Sequence, residues 1–144
     1  MHVSDILGEK GTDVITTGPD ETVGATARLL NVKRIGVVMV CDAAGKLSGV
    51  ISERDIIRAV SVHGERALDM RVREVMTADV VTCKPDDTIS DVMKVMTVGR
   101  FRHLPVMEDG EIKGVVSIGD VVKHRLEETE LESQVLRDYM FASR

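Results

Sequence analysis

Two short stretches of the sequence place a hydroxyl and a carboxylate three residues apart behind an apolar run. They are Gly49-Val50-Ile51-Ser52-Glu53-Arg54-Asp55 and Gly114-Val115-Val116-Ser117-Ile118-Gly119-Asp120. Each reads as a strand ending in Ser, after which a helix begins with Asp in its first turn. One chemistry for this pattern is local: Ser-x-x-Asp at a helix start resembles a capping box and stabilises by about 1 kcal/mol. The other directs the same groups at a ligand. A helix N-terminus with free N–H groups and a Ser hydroxyl can bind phosphate, and an Asp one turn in can accept hydrogen bonds from two vicinal hydroxyls. Phosphate and ribose hydroxyls together describe a nucleotide. The spacing alone leaves both chemistries open.

The two stretches differ in the basic groups available to a phosphate. Ahead of the second lies Gly99-Arg100-Phe101-Arg102-His103-Leu104-Pro105-Val106, which sets two guanidiniums and an imidazole close together. The matching Lys33-Arg34-Ile35-Gly36-Val37-Val38-Met39-Val40 carries Gly36 and Val37 where Arg102 and His103 stand. Arg54 partly offsets this in the first copy, because Gly119 replaces it in the second. Arg100 and Arg102 equally suit a solvated strand edge, and His103 a packed, hydrogen-bonded histidine.

No catalytic or metal-binding residues are expected. Ser52 and Ser117 have no His in their local motif, and a nucleophile needs a positioned base. Cys41 and Cys83 lie far apart without CxxC pairing and read as small buried thiols. His2, His63 and His124 are scattered without metal-ligand spacing and are assigned to surface or packing. Met93 and Met96 lie on one helical face and belong to the core, and Glu127-Glu128-Thr129-Glu130 reads as the solvated side of a terminal helix.

An internal repeat positions these residues. Thr16-Thr17-Gly18-Pro19-Asp20-Glu21-Thr22 returns as Thr82-Cys83-Lys84-Pro85-Asp86-Asp87-Thr88, an offset of 66 that persists through Arg34/Arg100 to Val40/Val106. One residue is dropped in a turn, and Gly45/Gly110, Gly49/Gly114, Ser52/Ser117 and Asp55/Asp120 then match at 65. Each copy reads as β-α-β-β-α. A strand (Asp13–Thr16, Asp79–Thr82) runs into a Pro-Asp-x-Thr turn whose Thr22 or Thr88 caps a helix ending near Lys33 or Gly99. Two β-branched runs follow, Ile35–Cys41 with Leu47–Ser52 and His103–Met107 with Ile112–Ser117, and then a second helix from Glu53 or Ile118. Val3–Leu7 and Val72–Met76 read as equivalent helical turns, each leading into its repeat. The expected layout is repeat one at 1–62, a connector at 63–71, repeat two at 72–125 and a helical tail at 126–144. A copy of about 60 residues buries its sheet poorly alone, so the two are expected to pack sheet against sheet about a pseudo-two-fold axis.

Composition bounds the rest. The 144 residues suit about one domain, and 43% hydrophobic with 30% charged residues suit a globular chain. With no Trp, one Tyr and two Phe, stacking platforms for single-stranded nucleic acid are not expected, and a net charge of −5 has the wrong sign for a duplex-binding surface. The N-terminus lacks a signal-peptide pattern and no apolar run reaches the ~18 residues of a membrane span, so a soluble, cytoplasmic protein is expected.

The duplicated β-α-β-β-α pattern, with Gly-apolar-x-Ser-x-x-Asp closing both copies in register over about residues 1–125, resembles a tandem pair of cystathionine β-synthase (CBS) domains, the Bateman module. The resemblance implies an α/β (α+β) fold of two CBS repeats plus a C-terminal helix. It also implies an adenosine-containing ligand such as AMP, ADP, ATP, NADH or S-adenosylmethionine, held in clefts between the sheets. By resemblance the ribose acids are Asp55 and Asp120, the phosphate-side hydroxyls Ser52 and Ser117, and the early strand-end hydroxyls Thr16 and Thr82. The strand-start positions Gly36, Val37, Arg102, His103 and Pro105 and the helix residue Arg54 complete the candidate contacts, with the Ser117/Asp120 cleft ranked first. Such modules regulate rather than catalyse. A stand-alone sensor that signals to an unidentified partner through ligand-dependent repeat geometry is therefore expected, with a ligand-independent scaffold as the alternative. A homodimer is expected from Ile56, Ile57, Val121 and Val122 and from Leu126, Val135, Leu136 and Tyr139 of the tail.

Overall fold

The computed structural model describes residues 1–142; the end of the expected tail, Ser143 and Arg144, lies outside the described residues. In chain order the elements are α1 (Val3–Lys10), β1 (Thr16–Thr17), α2 (Val23–Lys33), β2 (Val37–Cys41), β3 (Leu47–Ser52), α3 (Glu53–His63), a 3-10 helix (Gly64–Asp69), α4 (Val72–Val75), α5 (Ile89–Gly99), β4 (His103–Glu108), β5 (Glu111–Ser117) and α6 (Ile118–Ala142). The expected mixed α/β duplication is present, and no helix among the described residues is long and apolar enough to cross a membrane. The segment expected as a connector is helical for most of its length: α3 runs on to His63 and the 3-10 helix follows.

The chain forms two compact units, and each takes its leading helix from ahead of the other copy. One unit comprises Asp13–Val81 with Asp109–Ile112; the other comprises Met1–Thr12, Thr82–Glu108 and the chain from Lys113. The leading helices therefore precede one repeat in sequence and pack on the other in space. Their apolar spacing explains the packing. Val3, Ile6 and Leu7 fall on one face of α1 and are buried with Ile89, Val106 and Val116. Val72 is buried with Leu30, Val38 and Ile51, and Val75 and Met76 pack beside it.

The Pro-Asp-x-Thr turns hold these leaders by their free N-terminal amides. Val72 N–H donates to the Glu21 carbonyl at 2.8 Å and Arg73 N–H to Pro19 at 2.9 Å; in the other unit Val3 N–H donates to Asp87 and Ser4 N–H to Pro85, both at 2.9 Å. The turns thus accept hydrogen bonds that a helix start cannot make internally. Thr22 and Thr88 also cap as expected, accepting from Ala25 and Asp91 N–H at 3.1 Å each. The leaders end over the motif glycines. A Cβ on Gly49 would lie 2.6 Å from Met76 Sδ and 2.9 Å from the Thr77 carbonyl, and one on Gly114 would lie 2.6 Å from Leu7 Cδ2.

In the first copy β1 runs parallel to β2 (Thr16 opposite Met39), and β2 runs antiparallel to β3 (Val37 opposite Ser52). The opening strands are shorter than the sequence pattern suggests. Met39 N–H reaches the Ile15 carbonyl at 3.1 Å, but the matching residue of the second copy is Pro105, which has no N–H to give. The second sheet is therefore β4 and β5 alone, with Cys83 bridged to Val106, and Thr82 lies outside any strand.

Candidate functional site

Antiparallel pairing brings the start of β2 against the end of β3, so Gly36 and Val37 adjoin Ser52: Val37 is its strand partner and the Gly36 carbonyl accepts from Glu53 N–H at 3.0 Å. Ser52 sits in extended backbone at the N-cap of α3. Its hydroxyl accepts from Asp55 N–H at 3.2 Å, while Asp55 Oδ2 accepts from Ser52 N–H at 2.9 Å and from the Ser52 hydroxyl at 3.1 Å. The other carboxylate oxygen, Oδ1, accepts from the Thr77 hydroxyl at 3.3 Å and lies 3.7 Å from Arg58. Asp55 is 8% exposed, whereas Arg54 beside it is exposed.

The second copy repeats this arrangement with different partners. Ile118 N–H donates to the Arg102 carbonyl at 2.8 Å, which fixes Arg102 and His103 beside Ser117. Arg102 is exposed and His103 half-buried, while Pro105 is buried two residues further on. Asp120 Oδ2 accepts from Ser117 N–H at 2.9 Å, and the Ser117 hydroxyl accepts from Asp120 N–H at 3.1 Å. The Lys10 ammonium donates to the same Oδ2 at 2.6 Å. Burial pushes the Asp120 carboxyl up, but Lys10 and the Ser117 amide and hydroxyl outweigh it, and the group sits below its ordinary value. Its side chain is 25% exposed.

Capping is thus realised in both copies, and it orients the carboxylate that the nucleotide chemistry also requires. Gly36, Val37, Ser52, Arg54 and Asp55 share one end of the first sheet, and Arg102, His103, Ser117 and Asp120 share the equivalent end of the second. Thr16 stands elsewhere. It pairs with Met39 and lines a hollow of about 630 Å³ with Thr17, Gly18, Thr26, Cys41 and Asp42, without Ser52 or Asp55. Cys41 is half-buried rather than buried, and Cys83 is buried. Burial, with Asp87 adding, pushes the Cys83 thiol up to about 12, so it is not a nucleophile at neutral pH.

Lys10 and Thr77 were not among the sequence candidates, although both touch a motif carboxylate. The equivalence of the leaders was visible in their Val-x-x-apolar pattern. Their exchange between copies was not, because both sheets present the same glycine and the same turn.

A family model described as CBS domain matches residues 3–62 and 72–127. Among relatives, the mitochondrial CBS domain-containing protein CBSX3 of Arabidopsis thaliana is 31% identical over 146 residues, spanning 96% of this chain and 71% of that protein. Among solved structures, the CBS-domain containing protein ATU1752 from Agrobacterium tumefaciens is 46% identical with a TM-score of 0.84, covering 86% of this chain and 92% of that one. The CBS domain pair of protein MJ0100, solved in complex with 5'-methylthioadenosine and S-adenosyl-L-methionine, is 25% identical with a TM-score of 0.78, covering 89% and 98%.

Proposed function

The chain belongs to the CBS domain family, and from that premise we propose that it is a regulatory module that binds an adenosine-containing ligand and catalyses no reaction itself. Supporting this reading, a structurally similar CBS pair was solved with two adenosine compounds. The observation that carries it is the partly exposed Asp120 carboxylate at the start of α6, held in place by the Ser117 amide with Arg102 alongside. Asp120 would receive the ribose hydroxyls, and Ser117, Arg102 and His103 would face phosphate where the ligand has one. Asp55 and Ser52 offer the same acceptor and cap in the first copy, but with the carboxylate more buried, Arg58 at 3.7 Å from it and Arg54 exposed beside it. Both serine hydroxyls serve as helix caps, which suits binding rather than nucleophilic attack.

Regulation follows when the ligand has unequal affinity for two states of the module and a partner protein reads the difference. The net charge of −5 argues against nucleic acid as that partner. We further propose a cytoplasmic homodimer. Ile57 on α3 is 69% exposed, and Leu131, Val135, Leu136 and Tyr139 on α6 are 59–72% exposed, apolar surface that a second copy would cover.

Thermal melting with AMP, ADP, ATP, NADH and S-adenosylmethionine tests the ligand class. A ligand at a hundred times its dissociation constant stabilises the fold by about 2.7 kcal/mol. A response to at least one of the five supports a sensor. A flat response to all five supports the ligand-independent scaffold, which the fully satisfied caps would also serve.

A further inference from the structure

Outside the two motifs, Glu9, His124 and Glu127 bring one ligand atom each to within 4.8 Å of one another. Glu9 lies in the last turn of α1; His124 and Glu127, three residues apart, share one face of α6. The two carboxylates belong to exposed residues, whereas His124 is 4% exposed. Its Nδ1 stands 2.9 Å from the Asp120 carbonyl oxygen, and because a carbonyl only accepts, Nδ1 carries the hydrogen. Nε2 is buried and, among the described residues, has no aligned hydrogen-bond partner, although Glu9 Oε2 is 2.9 Å away.

The three residues alone leave Nε2 without an aligned hydrogen bond, whatever the charge of the ring. In the neutral ring Nε2 presents a lone pair to a carboxylate, and in the imidazolium its N–H is not aligned with the oxygen. A divalent cation among the three groups satisfies the lone pair and both carboxylates together. The surrounding bonds match those that orient metal ligands. Nδ1–H is held by a backbone carbonyl, and Glu9 Oε1 accepts from the Lys123 ammonium at 2.6 Å, leaving Oε2 turned toward the ring. One imidazole with two carboxylates suits a borderline divalent ion such as zinc or cobalt, and three protein ligands leave a coordination position to solvent.

We propose that Glu9, His124 and Glu127 form a divalent transition-metal site that fastens the end of α1 to α6. This does not rest on the adenosine-ligand reading, because none of the three residues belongs to the motifs assigned to that ligand.

The test uses the full, untagged chain, titrated calorimetrically with zinc alone and by absorption with cobalt alone. The expected result is one ion per chain, a raised melting temperature, and cobalt d–d bands without the thiolate charge-transfer band that Cys41 or Cys83 would give. Glu127→Gln and Glu9→Gln, both at exposed positions, should keep the fold by circular dichroism and weaken zinc binding by about 10–100-fold. His124→Gln should abolish binding. Failure to bind zinc or cobalt stoichiometrically, a thiolate band, or unchanged affinity in both glutamine variants of the carboxylates would overturn the proposal.

Discussion

The Lys10 ammonium stands 2.6 Å from Oδ2 of Asp120, while the equivalent carboxylate, Asp55, is met by the neutral Thr77 hydroxyl at 3.3 Å. Two motifs that match in sequence therefore draw their cations from different places: Asp120 is bonded directly by Lys10 of its leader, whereas Asp55 has Arg58 of its own helix at 3.7 Å and a neutral hydroxyl from its leader's end. α1 continues to Lys10 and delivers a cation, whereas α4 stops at Val75 and the chain turns extended, so that Thr77 exchanges both backbone hydrogen bonds with Val50. Lys10 is 40% exposed and can swing aside, which leaves Asp120 the more available of the two acids.

The Lys10–Asp120 pair predicts an acid-sensitive increment of stability. Because the folded-state value of Asp120 lies below its ordinary 3.8, the contribution is complete above 3.8 and is lost as pH falls through the lower folded value. Urea unfolding should show Lys10→Gln less stable than wild type by about 0.2–1 kcal/mol at neutral pH, as for partly exposed pairs. The gap should narrow as pH falls below 3.8. A gap independent of pH would show that Lys10 acts through packing rather than charge.

The motif glycines predict unequal costs for the same substitution. Gly49→Ala forces a methyl against the Thr77 backbone carbonyl at 2.9 Å as well as Met76 Sδ at 2.6 Å, and the carbonyl is fixed by its bridge to Val50. Gly114→Ala meets the Leu7 side chain, at 2.6 Å from Cδ2, which can rotate in part. Denaturant unfolding should give about 1–3 kcal/mol of destabilisation for Gly49→Ala and less for Gly114→Ala. The reverse order would mean that α1 is the more rigidly held leader.

The terminal helix predicts concentration-dependent assembly. α6 runs unbroken from Ile118 to Ala142, with residues 131–142 exposed, so truncation after Glu130 removes apolar surface without touching the buried Val121 or His124. Light scattering at several concentrations should find a dimer for the full chain, a weaker dimer for the truncated one, and unchanged ligand response in both. A full-length monomer at high concentration would contradict the assembly.

Much of this fold was legible because the chain states it twice. The offsets of 66 and 65 mark the equivalent hairpin strands, the turn between them and the threonine caps, though not the loss of the second opening strand. What was not legible depended on contacts distant in sequence. Pro105 truncates the second sheet only because its partner would have been Val81, and Lys10 meets Asp120 only because α1 belongs to the second copy's unit. His124, assigned to surface or packing, is indeed packed, but its approach to Glu9 could not be read from spacing across 115 positions.

Ribose recognition by the motif acids, with Asp120 dominant, is tested most directly by isothermal titration calorimetry of wild type, Asp55→Ala and Asp120→Ala with the most stabilising nucleotide. Loss of a charged acceptor costs about 1.5–3 kcal/mol of binding, so Asp120→Ala should weaken affinity by roughly 10–150-fold, with a smaller loss for Asp55→Ala. Unchanged affinity in both variants would contradict ribose recognition by these acids, and a larger loss from Asp55→Ala would move the principal site to the first copy.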